Sequence, residues 1–450
     1  MRDAQPYLHA HCTDQGCAAM GQPVHPHSMM SFGTSFATKY TNATWFGQVV
    51  YRLCILYRFG IHSVWRCSHM PNPFNPYQPA EGRLFANRKQ EQLWFQGDFI
   101  PSVVPDNFGT YNAAILGPWG IGKSSLVRQL KYLIADSITE PVAMTFFSCT
   151  TGFGSLTGFC SAIVNALRQE ALRLSRWDQS LEQEMSQWSW EIHLPGVTAS
   201  RTRGTDAQSS VSAAEFLRSS LLRLWERAFR AHGYAVVIAL DDVNLLQAID
   251  PQALMLLRAV FQDLHMYQAR YALVVTGPPD LFSEIRDIAE PVIRFFEHLT
   301  LSAFTEADVA DAVREPIAAV GVPLTVEDDA IRWLWERTQG HPYFVTYVMH
   351  YVFQAAIDAA WSTVRRDHFQ QLWPAILARL GRGKFRDDWD SATPAEQNVL
   401  RAIAQNRLDQ INRGLVTRLV RKGLVTKIDR GQYALYHPMF SEYVQRHDGH

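Results

Sequence analysis

The chain has 450 residues, 47% hydrophobic and 19% charged, with a formal net charge of -1. One hydrophobic core rarely organises so many residues, so two or three domains are expected, and the composition excludes wholesale disorder. The near-neutral balance excludes a global field for nucleic acid or an anionic membrane, leaving only local patches for such contacts.

Residues 1–69 show no sustained period of 2 or 3.6 and no helix-capping signals. Their His9, His11, Cys12, Cys17, His25 and His27 fit no zinc spacing. The six cysteines of the chain do not read as a disulfide framework. The apolar stretch 45–65 is broken by Arg52 and Arg58 and falls short of the ~20 apolar residues that cross a bilayer. No signal-peptide layout opens the chain. A cytoplasmic protein without membrane association is expected, in which 1–69 are disordered or a spurious extension and a chain starting at Met70 folds unaided.

From Met70 the proline-rich lead-in Pro71-Asn72-Pro73-Phe74-Asn75-Pro76 runs toward Leu84-Phe85-Ala86-Asn87-Arg88. A strand over 113–116, a glycine loop and a helix over 123–135 then open an α/β unit. Residues 142–147 read as a strand, 156–174 as a helix, and the polar segment 175–212, with Trp177, Trp188 and Trp190, as a surface insertion. A helix through Leu217, Leu221 and Leu224 leads to 235–240, too apolar for a half-exposed strand and so expected inside a covered parallel sheet. Leu254, Leu257, Phe261 and Leu264 mark the next helix, 271–276 the next strand, and 292–301 a fifth strand. After Ala303 the strand signals stop and amphipathic helices run over 305–359. The last ninety residues read as three helices and two short strands turning at 429–431, the order of a winged helix. The expected domains are an ATPase domain over 70–302, a helical lid and connector over 303–384, and a winged helix over 385–450.

Gly117-Pro118-Trp119-Gly120-Ile121-Gly122-Lys123-Ser124 fits G-x-x-x-x-G-K-[ST] and sits after a buried strand and before a helix, where a P-loop must sit. Its glycines let backbone N–H groups curl around a β-phosphate, and the helix points its positive end at the same charge. Lys123 is assigned to the β- and γ-phosphates of ATP and Ser124 to Mg²⁺, with Ser125 completing the loop. Asp241 and Asp242 follow the buried run 235–240. Asp241 is assigned to Mg²⁺ through water and Asp242 to the attacking water, its short side chain implying slow turnover; the competing reading is a pair of helix-capping acids. Thr276 ends its strand with a hydroxyl suited to orienting that water or sensing the γ-phosphate, or is simply a strand-end threonine.

The lead-in, Leu84 to Arg88, the loop through Ser125, Leu240-Asp241-Asp242-Val243, Thr338-Gln339-Gly340-His341-Pro342, and Phe440 with Tyr443 together resemble the AAA+-like ATPases grouped with the STAND and origin-recognition ATPases. The resemblance covers about residues 70–450 and implies a sensor strand between the P-loop and Asp241 strands, a helical lid and a winged helix. Two positions depart from that pattern: Asn87 stands where Gly is usual, and Asn244 where a third acid is common. The resemblance further implies that Pro342 packs on the adenine or ribose, that Arg294 serves the γ-phosphate in trans within an oligomer, and that His437 donates to the β-phosphate; the competing readings are a helix-starting proline, a solvated surface arginine, and a core or surface histidine. On that reading His437→Ala weakens ADP binding and leaves the fold intact. A nucleotide switch that moves lid and winged helix for a protein partner is the first functional expectation. STAND proteins usually continue into sensor repeats, whereas this chain ends at His450, so the partner is expected to be a separate protein or the chain to be closer to compact origin-type ATPases. A DNA-binding ATPase using Arg413, Arg418, Arg421, Lys422, Lys427 and Arg430 is the alternative.

Overall fold

A strand that is apolar from Ala235 to Leu240 must be covered on both faces, and Ala235–Asp241 is buried along its whole length. In the computed structural model this strand, β3, lies inside a five-stranded parallel sheet. The structure describes residues 72–104, 112–137, 141–149, 152–174, 183, 206–282, 293–407, 412–429 and 431–447. All lie in the second of two units, Cys67–His450, the first being Met1–Arg66. The N-terminal His and Cys residues, Met70, the insertion's Trp177, Trp188 and Trp190, and Arg430 lie outside the described residues.

The α/β portion begins with α1 (Lys89–Trp94), which continues through a π-helical turn into α2 (Ile100–Val103). Strand β1 (Ala113–Leu116) leads through the glycine loop into α3 (Lys123–Ser137), followed by β2 (Val142–Ser148) and α4 (Leu156–Leu174). Helix α5 (Asp206–Leu224) precedes β3 and starts inside the stretch 175–212 expected to be insertion. After β3 come α6 (Asn244–Gln247), α7 (Ala253–Met266), β4 (Tyr271–Gly277) and β5 (Glu297–Thr300). The strand order is β2-β3-β4-β1-β5, so β4 lies between the P-loop strand and the Asp241 strand, as expected.

Successive side chains of a strand point to opposite faces, and the two cores divide β3 accordingly. Val236, Ile238 and Leu240 join α4, α5 and α7 on one side. Ala235, Val237 and Ala239 join α1, α2 and α3 on the other. The fifth strand is shorter than the expected 292–301: residues 294–296 form a turn whose Phe296 is buried, so its apolar content comes from core packing and not from strand pairing.

The lid starts at Thr305, which caps α8 (Glu306–Ala319) reciprocally with Asp308. Then follow β6 (Thr325–Val326), α9 (Asp328–Thr338), α10 (Pro342–Asp358), β7 (Thr363–Val364) and α11 (Arg366–Arg382). β6 and β7 pair in parallel, a correction to the strand-free expectation after Ala303; strands two residues long carry no readable alternation. A connector helix α12 (Lys384–Asp390) leads to the winged helix: α13 (Pro394–Ala404), α14 (Arg413–Arg421), the antiparallel β8 (Val425–Asp429) and β9 (Gln432–Leu435), and α15 (Pro438–His447). Lid and winged helix share one core, in which Phe344 of α10, Phe385 of α12 and Phe440 of α15 pack ring against ring.

Candidate active site

The P-loop curls because its glycines take backbone angles that other residues resist. Gly120 has φ 74° and Gly122 φ 100°. A Cβ on Gly117 would lie 2.7 Å from the Ile121 side chain, so the first glycine is needed for close packing of the loop on itself. The Gly117 N–H donates to the Gly277 carbonyl at 3.1 Å, which ties the loop to the end of β4. Lys123 is buried, and its Nζ donates to the carbonyls of Gly117 at 2.9 Å and Pro118 at 3.0 Å. Burial lowers its pKa, and the carboxylates of Asp242 and Asp241 oppose that shift. An ammonium held only by carbonyl dipoles in such a place is poised to exchange them for phosphate oxygens.

The acid corner is assembled by Thr276. Its hydroxyl donates to Asp241 Oδ1 at 2.6 Å and accepts from the Asp242 N–H at 2.8 Å. The hydroxyl proton is thus committed to Asp241, and Thr276 serves to fix both acids. Asp242 sits at φ 54°, a left-handed angle that Asp tolerates better than most residues. Burial first, and the neighbouring Asp241 second, raise the Asp242 pKa, with Lys123 opposing.

Beside the loop lies a cavity of about 310 Å³ lined by Phe74, Gly122, Ser125, Phe304, Pro316 and Pro342, among others. The size suits a nucleoside. Pro342 is the first residue of α10 and faces this cavity. Ser125 turns its hydroxyl to the lead-in, accepting from the Ala80 N–H at 3.1 Å. Asn87, at the position expected to be Gly, has φ 70°, a left-handed angle that Asn can hold. The next residue, Arg88, is buried and donates from Nη2 to the carbonyls of Ile121 at 2.9 Å and Ser302 at 2.8 Å, joining the P-loop to the start of the lid.

The lid closes on the same loop. Gln339 and Gly340 are both left-handed, and Gly340 is irreplaceable by geometry, since a Cβ there would lie 1.9 Å from the Phe304 carbonyl oxygen. This turn brings the Tyr343 N–H to the Gly120 carbonyl at 3.2 Å and His341 Nε2 to the Trp119 carbonyl at 3.1 Å. His341 Nδ1 is enclosed without a hydrogen-bond partner. Burial, and then the adjacent His437, push the His341 pKa down to about 3.

Residues 107–275 match the family model described as the AAA ATPase domain. This segment is an AAA ATPase domain. Among solved structures the chain is similar to a Walker-type ATPase of Pyrococcus abyssi, at 12% identity and a TM-score of 0.52, with 83% of this chain and 99% of that one covered. It is similar also to the ORC2 protein of Aeropyrum pernix, at 13% identity and a TM-score of 0.52, with 84% and 98% covered. Both likenesses are of fold. No curated protein matches the chain in sequence.

Two further residues carry expected roles at such a site. Arg294 is exposed in the turn before β5, not within the strand. His437 is 3% exposed and has both ring nitrogens engaged: Nε2–H donates to the Thr338 carbonyl at 2.8 Å and Nδ1 accepts from the Met439 N–H at 3.1 Å. Its ring lies 4.1 Å from that of Phe344, and burial lowers its pKa to about 4. The ring is thus a core histidine, the second of its two sequence readings: its one proton is donated to Thr338, and His341 lies between the winged helix and the loop. Arg88 and His341 stood in the sequence only as members of quoted motifs and Tyr343 not at all, and none of the three was given a role.

Proposed function

We propose that the chain binds ATP with Mg²⁺ at the Gly117–Ser124 loop, hydrolyses it slowly, and uses lid and winged helix to report whether ATP or ADP is bound. The observation that carries this reading is the meeting of three elements at one loop: Lys123, the Asp241–Asp242 corner, and the His341–Tyr343 turn of the lid. Lys123 exchanges its two carbonyl partners for phosphate oxygens on binding. The Ser124 hydroxyl and the second carboxylate oxygen of Asp241 fit a hard cation that also takes phosphate oxygens and water. Mg²⁺ supplies charge neutralisation at the phosphates. Asp242, its pKa raised, is suited to take a proton from an attacking water. Pro342 and the lead-in hold the nucleoside in the adjoining cavity. A nucleotide moves lid and winged helix only through contacts that differ between its two states, and the lid N–H on the Gly120 carbonyl is placed to differ. The Aeropyrum pernix ORC2 protein, which shares the fold, was solved with ADPNP and ADP.

Lys123→Ala tests the site. Titration with MgATP is expected to lose measurable binding, and affinity equal to that of the wild type would overturn the P-loop assignment.

The alternative, a DNA-binding ATPase, draws on exposed Arg413, Arg421 and Lys427 at the winged helix. It is weakened by two of its six expected cations. Lys422 is bonded to Glu396 at 2.7 Å, and Arg418 lies 3.6 Å from the same carboxylate. Because the winged helix shares its core with the lid, salt-dependent binding to duplex DNA is best measured on the full chain.

A further inference from the structure

Trp119 occupies a variable position of the P-loop, and an indole there has no duty toward phosphate. It is 56% exposed, yet three groups from beyond the AAA domain converge on it. The Tyr343 ring packs edge-on with centroids 4.6 Å apart. The Lys384 ammonium lies 4.7 Å from the indole centroid. His341 Nε2 faces the Trp119 carbonyl. The contacts then run on into the winged helix. Lys384 pairs with Asp388 one turn along α12 and sits 5.4 Å from the Tyr436 ring centroid. The Tyr436 hydroxyl, just after β9, donates to Asp388 Oδ2 at 2.6 Å. The next loop residue admits no side chain, for a Cβ on Gly120 would lie 2.9 Å from both His341 and Tyr343.

We infer that Trp119 is the residue by which the P-loop grips the lid and, through Lys384 and Asp388, the winged helix, so that a nucleotide reshaping the loop loosens or tightens that grip. The inference rests on the switch reading given above and assigns it a path. A cation over an aromatic face is attracted by the ring's quadrupole, and this attraction disappears when either partner loses its character. The contact is thus local, reversible and testable by paired substitutions.

Hydrogen exchange on the full chain reads it directly. In nucleotide-free protein, Trp119→Ala and Lys384→Met are each expected to speed exchange of the amides in 384–390 and 432–437 at least threefold while leaving β3 unchanged. Trp119→Phe, which keeps an aromatic face, should restore slow exchange. Lys384→Met leaves the loop's own residues intact, and it carries the test alone should Trp119→Ala fold poorly. Unchanged exchange at 384–390 and 432–437 in Lys384→Met overturns the inference. Acceleration in the variants, together with wild-type exchange that is identical in MgATP and MgADP, leaves the grip standing and removes the switch reading instead.

Discussion

Replacing His437 by Ala separates the two roles this residue has been given. The change removes the acceptor of the Met439 N–H, which is enclosed near the start of α15, and one of the two donors to the Thr338 carbonyl, which keeps the His341 N–H at 2.9 Å. A buried donor left unsatisfied costs about 1–3 kcal/mol. Removing a ring packed 4.1 Å from Phe344 adds a cavity term, and large-to-small core changes cost about 2–5 kcal/mol in all. The combined loss is expected at about 3–5 kcal/mol, allowing for partial collapse of the site. Urea unfolding of the full chain, followed through the lid and winged-helix tryptophans, measures it. The wild type should show a further signature. His437 stays neutral when folded, with a pKa depressed to about 4, so its contribution is complete above the ordinary histidine value of 6.5 and is lost as pH falls from there toward 4. The loss amounts to about 1.4 kcal/mol for each pH unit. His437→Ala should make that acid limb shallower by this amount, the share of His341 remaining. Stability within about 0.5 kcal/mol of wild type, combined with faster ADP dissociation, would refute this reasoning and return His437 to the phosphate.

Two other substitutions probe the geometry. Gly340→Ala places a methyl 1.9 Å from the Phe304 carbonyl oxygen at φ 65° and breaks the Phe304 N–H bond to the Gly340 carbonyl, so its cost should exceed the about 1–2 kcal/mol of a left-handed backbone alone. Thermal unfolding checks it, and a loss under about 1 kcal/mol would mean that the turn opens freely. Asp242→Asn should retain MgATP binding and lose turnover. It should also raise stability at pH 7, because a carboxyl with a raised folded pKa is charged there at a cost that begins as pH climbs past its unfolded value. A lower melting temperature at pH 7 and an unchanged one at pH 4 would contradict the assigned direction of the shift.

The sheet, the P-loop and the order of lid and winged helix were legible because each is written in spacings of a few residues. Three consecutive signals identified the phosphate loop: the run Ala113 to Leu116, a glycine pattern ending in Lys123 and Ser124, and the leucines of α3. The continuous apolar text of β3 implied cover on both faces, and both cores supply it. The position of β4 between β1 and β3 came only from the family resemblance, since no local pattern in a strand names its neighbour. Tertiary structure alone decided what the polar groups do. Thr276 meets Asp241 across 35 residues, His437 meets Thr338 across 99, and His341 meets Trp119 across 222. Helix and strand periodicities arise from neighbours within one turn or one pleat, whereas a donor finds its acceptor only after elements have packed. For that reason the sequence by itself determined where the glycine loop and the paired carboxylates lie, and the packed lid and winged helix determined which histidine reaches the loop.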